Sequence, residues 1–189
     1  MTHVGAAEIP SDLLARLRAG DAAAFSAAYE LHAGPIFRFL MRLCGRRELA
    51  EDLFQETWLR LARHARRLRP DTELRPWLYA VARNLVRSHA RFAVADAAGV
   101  AALARWWYLD ARGAEPENAA VAADEAARLE RALARLPLAG REVLLLVAGE
   151  GLAVDEAARV LGVTPEAARQ RLHRARAELA KSLPKEDES

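Results

Sequence analysis

At 189 residues, 52% of them hydrophobic, the chain is long enough for one ordinary domain or two small ones and can bury a packed core. Its formal net charge of +2 excludes little by itself, so the clustering of its arginines carries more information than the total. A single cysteine, Cys44, excludes an internal disulfide and a thiolate metal cluster, and no apolar run approaches the roughly 20 residues of a membrane span.

Abundant alanine, 6% aromatics and the absence of long β-branched runs favour helices throughout. The start, "MTHVGAAEIPSD", lacks the basic and apolar segments of a signal peptide, so a soluble cytoplasmic chain is expected. Ser11 is placed to cap a short helix through Leu17, with Gly20 as its C-terminal cap. Asp21 then caps a long helix reaching about Cys44, which Pro35 is expected to kink or divide. After the turn "GRRE" a third helix spans about Glu48 to Leu68. "RPDTE" breaks it, and Asp71 or Thr72 starts a fourth helix through Trp77 to about Arg91.

The pattern then weakens around "DAAGVAAL", "RWWYL" and "DARGAEPEN". So long a connection inside one compact domain is unusual, which argues for two domains. Pro116 opens the next helix, ending at "RLP". "AGREVLLLVAGEG" carries one from about Gly140 to Ala148, Val154 to Leu161 is short, and Gly162 to Thr164 is a turn before the helix opened by Pro165. The expected organisation is all-α, with two small helical domains: a tail 1–10, a first domain 11–93, a linker 94–116, a second domain 117–183 and a polar tail 184–189.

The last helix concentrates four arginines and a histidine between positions 169 and 176. At about 100° per residue, Leu172, Ala175 and Leu179 fall within about 40° of Ala168 and form an apolar stripe. Arg169, His173 and Arg176 lie on one flank, Gln170 and Arg174 on the other. Two short helices joined by a glycine-bearing turn make a helix-turn-helix, whose second helix fits a DNA major groove. Arginine pairs bidentately with guanine and glutamine with adenine. The plainer alternative is a solvated arginine-rich helix; the order of apolar helix, short helix, Gly turn and Pro-started basic helix favours DNA binding.

In "AEDLFQETWLRL", Leu53, Phe54, Thr57, Trp58 and Leu61 form an inward face, while Glu51, Asp52, Gln55 and Glu56 gather on another. A solvated acidic face paired with nearby arginines would contribute only about 0–1 kcal/mol per pair. In "RPWLYAVARNLVRSHAR", Trp77, Leu78, Val81 and Leu85 supply apolar spacing. Arg83, Asn84, Arg87 and Arg91 supply an exposed strip, and its three arginines repel one another unless an anion such as a phosphate lies beside them.

The segment "LERALARLPLAGREVLLLVAGEGLAVDEAARVLGVTPEAARQRLHRARAEL" resembles region 4 of bacterial sigma factors, closest to the extracytoplasmic-function branch of the sigma-70 family. LuxR-type regulators carry a similar module. "AGDAAAFSAAYE", "AEDLFQETWLRL" and "LRPWLYAVARNLVRSHAR" resemble region 2 of the same family in the family's order. The resemblance implies a sigma factor. The residues themselves show no Gly-rich phosphate loop, nucleophile motif or paired acid/base constellation and no ligand spacing among the histidines at 3, 32, 64, 89 and 173, so no enzyme, cofactor or metal site is expected. A sigma factor would bind core RNA polymerase through the β′ coiled coil and the β flap, bind promoter DNA, and be held by an anti-sigma protein, without membrane insertion. It places Asp52, Gln55 and Glu56 on the polymerase, and Arg75, Tyr79, Arg83, Asn84, Arg87 and Arg91 at the minus-ten element. There the loop from about Arg66 to Arg75 captures an unstacked base. It places Thr164, Arg169, Gln170, Arg171, His173, Arg174 and Arg176 at the minus-thirty-five element. Ser88 stands where the family often has an acid, and Pro165, Ala168 and Gln170 replace its commoner residues, so the promoter sequence does not carry over. Trp77 reads as a core anchor ahead of a DNA-stacking role. "RWWYLD" serves equally as a partner site or as a tack for the linker. The other readings are a LuxR-like regulator acting without polymerase and a helical protein-binding adaptor.

Overall fold

A computed structural model describes residues 12–92 and 116–182, with no strand among them. The first stretch holds α1 (Leu13–Ala19), α2 (Ala22–Cys44), α3 (Arg47–His64), a 3-10 turn (Ala65–Arg67) and α4 (Leu74–Phe92). The second holds α5 (Pro116–Arg135), α6 (Leu138–Leu144), a π turn (Leu145–Gly149), α7 (Val154–Leu161) and α8 (Pro165–Ser182). Ser11, the linker aromatics Trp106, Trp107 and Tyr108, and both tails lie outside the described residues.

The helix ends follow local chemistry. Gly20 closes α1 at φ +84°, a left-handed conformation that costs glycine little. Asp21 accepts hydrogen bonds from the Ala23 and Ala24 backbone N–H groups at 2.8 and 3.3 Å, and from the Arg16 side chain at 2.8 Å. Its carboxyl is held below the usual range by Arg16 first and by those N–H groups next. Of the two outcomes expected at Pro35, division does not occur: α2 runs unbroken from Ala22 to Cys44. The neighbours of Pro35 on the buried face, His32, Ile36, Phe39 and Leu40, keep the helix packed on α3 and α4 despite one missing N–H.

In the first unit α2, α3 and α4 pack on one another and α1 closes one end. Phe39 and Tyr79 meet edge to face, ring centroids 5.2 Å apart, and both are buried. Phe25, Tyr29, Phe37, Phe54 and Trp58 form a second aromatic group between α2 and α3. In the second unit α6 and α7 pack on α8 through Val143, Leu144, Val160, Leu161, Leu172 and Ala175. The two units also pack on each other: α7 lies on α4, and α6 and the π turn lie on α2. Buried residues of both belong to one continuous apolar cluster.

The π turn is a local departure from the helix expected over Gly140 to Ala148. The Glu150 N–H donates to the Leu145 carbonyl at 2.8 Å, and the Leu152 N–H to Leu146 at 3.0 Å. The wider winding carries Glu150 to the edge of α4.

Removing the Phe39 ring leaves a cavity in the middle of the first unit, so Phe39→Ala should lower stability by about 3–5 kcal/mol in urea unfolding. His32 is buried, and burial first and Arg75 second push its imidazole down to about 4. The unfolded chain takes up this proton near the ordinary value of about 6.5, before the folded one does. Stability should therefore be intact above that pH and decline as pH falls from about 6.5 to 4, and a His32 ring titration by NMR should show a midpoint near 4.

Candidate nucleic-acid interface

The turn into α8 is built from its own residues. Gly162 adopts φ +64°, its N–H donates to Arg159, and the Val163 N–H donates to Ala158, the two bonds of a Schellman ending. Thr164 accepts from the Ala167 N–H at 3.2 Å, and Pro165 occupies the first helical position, where no N–H is needed. At the start of α7 the Ala153 N–H donates to Glu156 at 2.8 Å, the reach-back half of a capping box; Ala153 has no oxygen to complete it.

With both ends fixed, α8 buries Ala168, Leu172 and Ala175 against α6 and α7, the stripe read from its periodicity. Arg169, Gln170, His173, Arg174 and Arg176 are exposed, and Arg171 is half-buried. Glu166, Arg169, Gln170, His173 and Arg174 line one shallow surface. Arg169 reaches Asp155 at 3.3 Å and Glu166 at 3.4 Å, but its side chain stays 55% exposed, so these pairs are weak and exchangeable. The Arg174 Nε donates to the Gln170 carbonyl at 3.4 Å. This face offers guanidinium and amide donors with little internal competition.

The α4 strip has a different fate. Asn84 and Ser88 are exposed, and the Arg91 side chain lies outside the described residues. Arg83, expected on the exposed strip, is buried: its Nε donates to Glu142 at 3.0 Å, its Nη2 to the other Glu142 oxygen at 3.4 Å, and its Nη1 to Asn84 at 3.3 Å. Arg87 lies 3.9 Å from the same carboxylate and is 45% exposed. Tyr79 is buried in the core, and its hydroxyl donates to Glu150 at 2.6 Å. Burial pushes the Tyr79 phenol up, with Glu150 adding to it. Arg75 donates to the Glu150 carbonyl. The anion beside Arg83 and Arg87 is thus the Glu142 carboxylate of the second unit of the same chain. Trp77 packs against the core on one side and lines a crevice between the units on the other, with Glu73, Ala80, Arg159 and Val160.

Further residues that the sequence reading did not single out complete this contact. Arg141 donates to the carbonyls of Leu133 and Leu136 at the end of α5 and of Leu43 at the end of α2, satisfying acceptors that a helix terminus leaves open. Arg42 donates to the buried Glu130 at 3.1 Å; burial pushes that carboxyl up and Arg42 opposes it. Arg159 pairs with Glu73. The signal for Arg141 and Glu142 was their place beside "VLLL": charges inside an apolar helix require partners. Cys44 packs beside Arg141 as a small apolar group, and burial pushes its thiol up to about 12.

On α3, Leu53, Thr57, Trp58 and Leu61 are buried as expected and Phe54 is half-buried. Asp52 and Gln55 are exposed, and their side chains make no hydrogen bond or ion pair with the described residues. Glu51 pairs with Arg47 at 2.7 Å and Glu56 with Arg60 at 3.0 Å, the local pairing that an acidic helix face allows. Leu59, 47% exposed, follows Asp52, Gln55 and Glu56 by seven, four and three residues, and so shares their face. The spacing alone was enough to find it. Among the described residues no helix is long and apolar enough to cross a membrane.

The Sigma-70 region 2 family matches residues 28–94, and Sigma-70 region 4 matches residues 126–179. The chain is 32% identical over 179 residues to the ECF RNA polymerase sigma factor BldN of Streptomyces coelicolor, covering 92% of this chain and 65% of that protein. It is 32% identical over 167 residues to the RNA polymerase sigma factor CarQ of Myxococcus xanthus, covering 84% of this chain and 88% of that one. The solved structure of CnrH, in complex with the cytosolic domain of CnrY, matches with a TM-score of 0.69 at 25% identity, over 90% of this chain and 94% of CnrH.

Proposed function

The chain belongs to the extracytoplasmic-function branch of the sigma-70 family, and on that premise we propose that it binds core RNA polymerase and directs it to promoters, its first unit engaging the polymerase and the minus-ten element and its second the minus-thirty-five duplex. The observation that carries the DNA half is the exposed donor face of α8 behind a glycine-closed turn. A helix of this build presents Arg169, Gln170, His173 and Arg174 to a major groove, with Arg171, Arg176 and Thr164 toward the flanking phosphates. The region 2 match favours this over a LuxR-like regulator, which has no need of such a domain.

On the first unit, Asp52 and Gln55 are free to take the β′ coiled coil, with Glu56 beside them. The β flap is the polymerase element assigned to the second unit. Asn84 and Arg87 reach the minus-ten element, with Arg75, Arg83 and Arg91 joining once the second unit moves away, and Tyr79 joining through its hydroxyl alone, because its ring stays packed on Phe39. Two short DNA contacts on one chain gain from tethering, because the second becomes intramolecular. Chemistry belongs to the polymerase; this subunit contributes binding energy and strand capture, and acts in the cytoplasm with it. An anti-sigma protein is the expected inhibitor, in line with the CnrH structure, where a second polypeptide holds a chain of this fold.

Arg174→Ala tests the reading surface. If Arg174 contacts a base, binding to the cognate promoter weakens by about 1–3 kcal/mol and preference relaxes at one position. If it touches only phosphate, affinity falls evenly on all sequences and the salt slope drops by about one. No loss on any DNA removes Arg174 from the interface. For the polymerase face, Asp52→Ala with Gln55→Ala should weaken core capture in a pull-down while circular dichroism stays unchanged; normal capture refutes the assignment.

A further inference from the structure

We infer that Glu166 is a specificity-determining residue of the α8 face: its carboxylate reads a cytosine in the minus-thirty-five duplex, beside the base met by Arg169. The inference deepens the proposed function and rests on the assignment of α8 to that duplex.

Glu166 sits at the centre of that face. At about 100° per residue it stands about 150° around α8 from the middle of the buried Ala168–Leu172–Ala175 stripe, between the flanks that carry Arg169 and Arg174. It lines the same shallow surface as Gln170 and His173, and its side chain is 69% exposed. A helix laid in a major groove turns its N-terminal residues to the base edges, while phosphate contacts fix its register.

The chemistry then selects the base. A carboxylate only accepts hydrogen bonds, so phosphate repels it, and on the groove floor it needs a donor. Guanine offers N7 and O6, both acceptors, and thymine offers the O4 acceptor and a methyl group. Adenine sets its N6 donor beside the N7 acceptor. Cytosine alone presents a donor, N4, with no acceptor of its own in that groove. A neighbouring guanine, or the one paired with that cytosine, supplies the O6 and N7 that suit Arg169. The two side chains are already adjacent and loosely held. Arg169 Nη1 lies 3.4 Å from Glu166 Oε2, and Nη2 lies 3.3 Å from Asp155 of α7. Both distances are long for charge-assisted bonds, so Glu166 can turn to a base while Asp155 still steadies Arg169. The helix dipole favours an acid in the first turn of α8, but an acid turned off this face would gain as much without approaching phosphate.

The test uses the full chain with core polymerase. Duplexes are selected by binding from a library randomised across the minus-thirty-five element, and sequencing gives the preference at each position. The unaltered chain should select cytosine at one position. Glu166→Ala should relax that preference about fivefold or more and leave the other positions unchanged. Glu166→Gln should move it to adenine, whose N6 and N7 a glutamine meets with two hydrogen bonds. Glu178→Ala removes an exposed acid further along α8 and should change no position. Unchanged preferences in Glu166→Ala overturn the inference, and so does an even loss on all sequences. Equal relaxation in Glu178→Ala overturns it too, as does selection of another base at the position where Glu166→Ala acts. Arg174→Ala and Arg169→Ala, measured on a selected duplex, separate these failures from failure of the α8 assignment. When either weakens binding, α8 engages the duplex and only the role of Glu166 falls. When neither does, the assignment falls and the inference with it.

Discussion

The contact between Arg83 and Glu142 fixes how the two described units sit on each other. One partner lies on α4 of the first unit and the other in the apolar α6 of the second, and neither charge reaches water. Either one buried alone would cost several kcal/mol. Given the pair, α6 cannot shift along α2 or rotate without stranding a charge. The apolar cluster running through both units supplies the attraction, and the ion pair selects which of many apolar contacts is made.

The neighbouring contacts share this logic. Arg141 spends its donors on helix-end carbonyls of α5 and α2, joining the ends of two helices from different units through one planar group. Arg42 does the same work for Glu130. The π turn gives up regular winding, and in return Glu150 reaches Tyr79 and Arg75. The interface combines an apolar cluster with ion pairs and helix-end hydrogen bonds.

The two basic faces differ in what surrounds them. On α8 the guanidinium groups pair loosely with Asp155 and Glu166 and remain hydrated, so a duplex displaces little to reach them. On α4 a ligand must first displace carboxylates and a packed helix. Two arginine-bearing helices of one chain thus present an open face in one case and a guarded face in the other.

Much of this was legible from the sequence because helix chemistry is local. Gly20, Asp21, Gly162, Thr164 and Pro165 fix their helix ends through partners within about five residues, and the Ala168–Leu172–Ala175 stripe follows from the helical repeat. The exposed donor face of α8 and the buried face of α3 were determined there too. The state of Arg83 and Tyr79 was not. Spacing placed Arg83 on a solvent-facing row and left open how the units sit; its partner Glu142 is 59 residues away, and Glu150 is 71 from Tyr79. Periodicity tells which way a side chain points from its own helix. Only the packing of one helix on another decides whether water, DNA or a distant carboxylate meets it there.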